Sequence, residues 1–180
     1  MIIKRKLIKT FLLILMSSGL LHSQDYVSFS TYHDLKLLAF GDDRGNRAGT
    51  LDILFRLKLQ KPQNTTGYLV YLLEVEQANI EMNLLRYGFA TGYAFNALFS
   101  NDINFEITPI LGLGAIHRQG VSTFSWSGSI GFDYKLSERV KISSLLQYTD
   151  RSDLKRIYND SKVRYSFFFG LEFNLFRLHR

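Results

Sequence analysis

The chain has 180 residues, room for one domain of ordinary size and not for two. Hydrophobic residues make up 46 % and charged residues 21 %, too apolar for a disordered chain and too charged for a bundle of membrane helices. With no cysteine, a disulfide framework, a thiolate zinc site, a Cys nucleophile and a Cys-linked lipid anchor are excluded. The formal charge of +6 falls to +2 once four basic residues of a leader are set aside, too little to argue for nucleic acid.

Residues 1–24 have the three-part layout of a secretory signal peptide. Lys4, Arg5, Lys6 and Lys9 precede an apolar run from Phe11 to Met16 that extends through Leu20 and Leu21. Ser23 and Gln24 then precede Asp25, so cleavage is expected close to Gln24. The apolar stretch is shorter than the roughly 20 residues that a spanning helix needs.

The mature chain, 25–180, is rich in aromatics, with 15 Phe, 10 Tyr and one Trp in the whole sequence against two prolines. That bias suits a pleated, half-buried surface. A first strand is expected over about 26–40. Its alternation places His33 on the apolar face, which a bulge or a late strand start would repair. After the turn at 41–46, Leu51, Ile53, Phe55, Leu57 and Leu59 share one face of a strand over 51–60, with Asp52, Arg56 and Lys58 on the other. The same period of two recurs over 67–77, 83–96, 103–114, 122–135, 140–148 and 163–176, which makes eight strands. Pro109 cannot donate to a central ladder, so an irregularity is expected there.

One face of these strands is crowded with Phe, Tyr, Leu and Ile. The other carries Gly, Ala and Ser with scattered charges. An eight-stranded barrel is only wide enough for side chains to fill it, so the small-residue face must point in and the aromatic face out. A belt of that kind in water far exceeds the apolar patch that a soluble monomer tolerates, whereas lipid requires it. Closure also satisfies the backbone hydrogen bonds, as hydrocarbon demands. The expected fold is therefore an all-β, antiparallel, up-and-down transmembrane barrel. Tyr26, Tyr87, Tyr93, Trp126, Tyr134, Tyr148 and Tyr165 are candidates for its interfacial girdles. The competing architecture is a secreted, soluble, lipocalin-like barrel with the aromatics inside.

If the short turns near 63, 99 and 137 are periplasmic, the connections near 44, 79, 119 and 156 are extracellular. Hairpin register then sets Glu74 opposite Arg86, Asp133 opposite Lys141, and Lys141 near Glu172. The expectation is an interior network with Lys141 between two carboxylates, because unpaired buried charge is costly. Such a network reads as a plug rather than as an ion path. At the rim, His117, Ser122, Glu76 and Asp150 form a loose constellation in which a nucleophile would need its base within hydrogen-bond reach. Gly112-Leu113-Gly114 is no phosphate loop, since no helix follows it. Asp42-Asp43 and Asp150–Asp153 are weak candidates for a divalent ion and read better as solvated loops. The extracellular loops are expected to be short, about a dozen residues at most near 150–162.

The four hairpins and the terminal stretch Tyr-Ser-Phe-Phe-Phe-Gly-Leu-Glu-Phe-Asn-Leu-Phe (165–176) make the chain resemble the small outer-membrane barrels of the OmpA/OmpX type. The resemblance is one of pattern over nearly the whole mature chain. It implies a bacterial outer-membrane location, contact with outer-membrane lipid and delivery by the outer-membrane assembly machinery. Those barrels usually finish on Phe, whereas Arg177-Leu178-His179-Arg180 follow Phe176 here. Some small outer-membrane barrels modify lipid A with a rim His and Ser. The expectation is nonetheless a non-enzymatic barrel, structural or surface-interacting, with no catalytic, cofactor or metal site and no nucleic-acid partner.

Overall fold

The computed structural model describes residues 26–42, 46–61, 66–80, 83–96, 104–159 and 163–177. The leader, 1–24, lies outside them. Eight strands follow one another: β1 (Tyr26–Asp34), β2 (Asp52–Gln60), β3 (Gly67–Ala78), β4 (Leu84–Phe95), β5 (Phe105–Arg118), β6 (Val121–Lys135), β7 (Val140–Asp150) and β8 (Val163–Arg177). Each pairs antiparallel with its sequence neighbour, and β1 pairs with β8, so the sheet closes into an up-and-down barrel. Two short helices, α1 (Leu35–Phe40) and α2 (Ser152–Tyr158), lie in the β1–β2 and β7–β8 connections.

The long first strand expected from the sequence stops early. Asp34 turns the chain: its carboxylate accepts from the backbone N–H groups of Lys36 and Leu37 at 3.0 and 3.3 Å and so caps α1. The run Leu35–Phe40 has no alternation to hold it in a ladder, so the cap decides its conformation. The connection at 35–51 is consequently the longest, not that near 156. A bulge does occur in β1, between Val27 and Ser28 against β8, but it lies at the other end of the strand. His33 stays exposed on the outer face beside Phe169, one residue before the cap.

Pro109 leaves the expected mark. The β4–β5 ladder skips from Gly92–Ile110 to Phe95–Ile107, while on its other side Pro109 pairs with Ile130 without a break. At the opposite end, β5 and β6 run four residues beyond Gly114 to a two-residue turn, Gln119–Gly120, with φ of 48° and 76°. Positive values at both positions suit the twist of a hairpin.

The orientation of the faces is unambiguous. Leu111 is 71 % exposed, Tyr165 67 % and Phe124 64 %, with Phe167 and Phe169 also outward. Glu74, Lys141 and Glu172 are buried inside. The aromatic stripe therefore forms the outer wall, the opposite of a soluble barrel's arrangement. Tyr26, Tyr93 and Tyr134 stand towards the end that carries the β1 start and the β8 end. Tyr87, Trp126, Tyr148 and Tyr165 stand towards the far end, where the last three rings adjoin at 5.3 and 5.1 Å. These two rings of aromatics are where a membrane's interfaces would fall. Inside, the small residues share the lumen with bulky ones that alternation alone does not single out. Tyr32, Leu54, Tyr68, Leu145 and Phe168 belong to one buried cluster across its middle.

Candidate functional site

The lumen holds three groups of buried charges. Towards the end that carries the β1 start, Lys58 and Lys141 face Asp133, Glu106 and Glu172. Lys58 Nζ contacts Glu172 and reaches Asp133 at 3.4 Å. Lys141 Nζ lies 2.7 Å from Glu106 and 3.8 Å from Glu172. Tyr68 donates to Glu106 at 2.7 Å, the Ser143 hydroxyl donates to Asp133, and Ser28 and Ser30 donate to Glu172 at 3.2 and 3.3 Å. Midway, Glu74 takes Arg56 at 2.6 Å and Arg86 at 3.2 Å, and Arg86 also donates to Ser127 at 2.7 Å. At the far end, Arg164 gathers Asp34 at 2.9 Å, Asp52 at 2.5 Å and Glu76 at 3.5 Å.

Lys141 thus sits between two carboxylates, but one of them differs from expectation. Asp133 faces Ser143 and belongs to Lys58, and Glu106 takes its place beside Lys141. Glu74 likewise stands opposite Gly88 in the β3–β4 ladder, and Arg86 opposite Glu76. Both hairpins are two residues out of the expected register. The slip keeps every side chain on its own face, so Arg86 still reaches Glu74 and Lys141 still lies near Glu172, and only Asp133 changes partner. Arg164 is an addition that sequence reasoning misses. It shares parity with Ser166, Glu172 and Asn174 in β8, a signal sufficient to put it inside.

A gap beside this network, lined by Tyr32, Arg56, Lys58, Asp133, Ser143 and Glu172 among others, measures about 10 Å³. That is room for about one water. Packed ion pairs with so little free volume fill this part of the lumen.

The two helices lie over the far end. Leu37 of α1, Ala78, Ile80, Leu84 and Ile116 form a second apolar cluster, and Leu154 of α2 is also buried. A charge clamp holds α2 in place. Asp153 receives Arg151 Nε at 2.9 Å and Nη2 at 3.0 Å, and Arg118 Nε from β5 at 3.2 Å. Burial alone would raise the Asp153 carboxyl. The Arg151 hydrogen bonds and the charges of Arg151 and Arg118 outweigh it and hold the group below its usual range. Between the helices a cleft of about 180 Å³ remains, bordered by Asp34, Lys36, Arg151, Leu154 and Arg164.

The four rim residues do not assemble. His117 Nδ1 and Ser122 Oγ are 3.1 Å apart and exposed on the outer wall, as cross-strand partners two steps below the tight turn. Glu76 lies inside with Arg164 and Arg86, and Asp150 accepts from Ser152 at 2.6 Å. The His–Ser pair therefore has neither of these carboxylates to orient it. In the two acidic stretches, Asp42 takes the Asn46 backbone and side-chain amides at 3.1 and 2.8 Å and Asp153 is clamped; Asp43 lies outside the described residues. Among the described residues no group of three or more His, Asp or Glu side chains is placed to hold a metal. Gly112-Leu113-Gly114 runs within β5.

This architecture is that of the small eight-stranded outer-membrane barrels. Among solved structures it is similar to the outer membrane protein Ail of Yersinia pestis in a phospholipid bilayer nanodisc. The TM-score is 0.54 at 13 % identity, covering 84 % of this chain and 100 % of that one. A looser likeness extends to Neisserial surface protein A (TM-score 0.47, 13 % identity, 83 % and 96 % covered) and to a de novo designed transmembrane β-barrel (0.46, 12 %, 85 % and 97 %). No protein-family model matches the chain, and no curated protein does.

Three outcomes follow from the charge pairs. Lys141→Met leaves Glu106 without its cation and Glu172 with Lys58 alone, so the barrel should lose about 3–5 kcal/mol. A urea midpoint in lipid vesicles unchanged from wild type would show that the network is not structural. Asp153→Ala should free α2 without melting the barrel, so trypsin should cut after Lys155 and Arg156 several-fold faster while the urea midpoint holds. Because the folded Asp153 value is depressed, the clamp's stabilisation is complete above the ordinary Asp value of about 3.9 and is lost as pH falls through the lower folded value. Hydrogen exchange of 152–158 should therefore speed up only in that acid window, beyond the intrinsic pH trend.

Proposed function

We propose that the protein is an integral barrel of a bacterial outer membrane that acts through its surface, with a lumen that serves as a structural plug. The observation that carries this reading is the inversion of the faces: an outer wall of exposed Leu, Phe and Tyr around a lumen of buried, paired charge. In water that wall would be an aggregation surface. In hydrocarbon it is the required one, and pairing of β1 with β8 closes the ladder. The far end, with its longer connections and two helices, faces outward by this reading, and the short turns at the other end face the periplasm.

A lipid-modifying enzyme is the second reading, favoured by the 3.1 Å His117–Ser122 pair on the outer wall. The placement of Glu76 and Asp150 away from the pair, and its origin as ordinary cross-strand neighbours, speak against it.

Fractionation of expressing cells tests the first reading. The protein should resist carbonate extraction and run faster on gels before boiling than after. Release by carbonate, with no heat-dependent shift, would refute membrane integration. Mass spectrometry of lipid A, with wild type and Ser122→Ala compared, separates the readings: identical lipid in both supports the surface role, and an acyl-chain change that Ser122→Ala abolishes establishes the enzyme.

A further inference from the structure

The outer wall is not uniform. Around the β5–β6 hairpin it rises into a ridge, and beside the ridge it sinks into a hollow. The ridge is Leu111 and Leu113 of β5 with Phe124 of β6, exposed by 71, 60 and 64 %. Together with Tyr165 these are the most exposed large apolar side chains of the described strands. The hollow lies over Gly128 of β6 and measures about 960 Å³. Trp126 and Ile130 of the same strand border it, with Leu146 and Tyr148 of β7 on one side and Leu111 on the other.

Nothing within the chain asks for a glycine at 128. At Gly88, Gly92 and Gly170 a β-carbon would strike a carbonyl oxygen of the neighbouring strand. At Gly128 it would meet only the Leu111 Cδ2 atom, at 4.0 Å, and the backbone there is not left-handed. Gly128 has the outward parity of Trp126 and Ile130, at which this wall otherwise carries bulky groups. A glycine inside a strand forgoes side-chain packing and weakens the strand, and it marks places where a ligand or another backbone comes close.

Acyl chains flow into a hollow of any shape, and a leucine at 128 would suit them as well. A protein surface is a different occupant. In hydrocarbon two proteins gain little by leaving lipid, so close packing at small residues is what holds them together. The shape that fits the hollow is on the same molecule. Ridge and hollow lie on adjacent strands, with Leu111 directly opposite Gly128. Two copies inserted in the same sense are related by a two-fold axis along the membrane normal, and such an interface is self-complementary. An axis between β5 and β6 brings the ridge of each copy against the hollow of the other. The rings of Trp126, Tyr148 and Tyr165, with centres 5.3 and 5.1 Å apart in turn, give the hollow a firm side. We propose that the β5–β7 face is the interface of a symmetric homodimer within the membrane, Leu111 of each copy seated over Gly128 of the other. The proposal rests on the membrane reading above and goes beyond it by naming a partner.

The chain has no cysteine, so introduced thiols report without background. Two full-length forms with different affinity tags, one Leu111→Cys and the other Gly128→Cys, are co-expressed and oxidised in intact outer membranes. A disulfide-linked dimer carrying both tags should form, several-fold more of it than when both forms carry Phe55→Cys, on β2 across the barrel. Gly128→Leu fills the hollow, and the open space around its β-carbon lets the barrel fold. Donor and acceptor dyes on Glu138→Cys, exposed in a short turn, should show energy transfer in vesicles at large lipid excess. Adding Gly128→Leu should reduce that transfer to the level of chance encounter.

Cross-linking no higher than the Phe55→Cys control, or energy transfer that falls in step with lipid dilution, would overturn the dimer and leave the hollow to lipid. Disulfide linkage to another protein in place of a second copy would overturn it in favour of a different membrane partner. Transfer unchanged by Gly128→Leu would remove the hollow from the interface. The heat-dependent gel shift and carbonate resistance of the same variants report on the reading beneath. Where they persist, a monomer counts against the dimer alone, and where they are lost both readings go.

Discussion

Closure of the backbone ladder is the constraint from which the rest of the molecule descends. β1 pairs with β8 through nine residue pairs, and the bulge at Val27/Ser28 absorbs the one mismatch of register at that seam. A sheet closed in this way exposes no unpaired N–H or C=O along its edges, the condition for a β structure in hydrocarbon, where each orphaned group costs several kcal/mol. Closing with only eight strands then fixes the diameter, and the diameter leaves a lumen that side chains must fill. Every second residue is thereby committed to the inside and the others to the wall. The polar groups can only be inside, and once inside they must find one another.

The way they find one another ties the seam together. Glu172 of β8 accepts from Ser28 and Ser30 of β1, contacts Lys58 of β2 and lies 3.8 Å from Lys141 of β7. One carboxylate thus links four strands on both sides of the closing pair. Arg164 does the same at the other end, joining β8 to β1, β2 and β3 through Asp34, Asp52 and Glu76. Buried ion pairs return little net stability over an apolar filling of equal volume. Their effect here is on register. A slip of two residues in any of these strands keeps each face intact and would cost an apolar lumen little, but it would strand several charges without partners.

That same two-residue degeneracy explains what can be read from the residues alone and what cannot. Period two reports which face a side chain takes. The wall, the lumen, the strand count and the break at Pro109 are all legible from it. It is blind to a shift by two, so it pairs Asp133 with Lys141 instead of Lys58 and sets Glu74 opposite Arg86. Resolving the shift needs the turn geometry at 79–83 and 136–139, and neither stretch carries a diagnostic dipeptide. α1 is hidden for another reason: Leu35–Phe40 is an apolar run without period, and only the Asp34 side chain decides between strand and helix. The rim constellation fails because Glu76 has inward parity and Ser122 outward, a conflict visible in the strands once their faces are assigned.

A filled lumen also narrows where function can reside. The buried charges pair around a space fit for about one water, and Leu37 of α1, Ile80 and Leu154 of α2 are buried at the far end beside the cleft of about 180 Å³. The connections at that end are unequal. The β5–β6 and β3–β4 connections are barely longer than turns, and α2 is clamped by two arginines over the lumen.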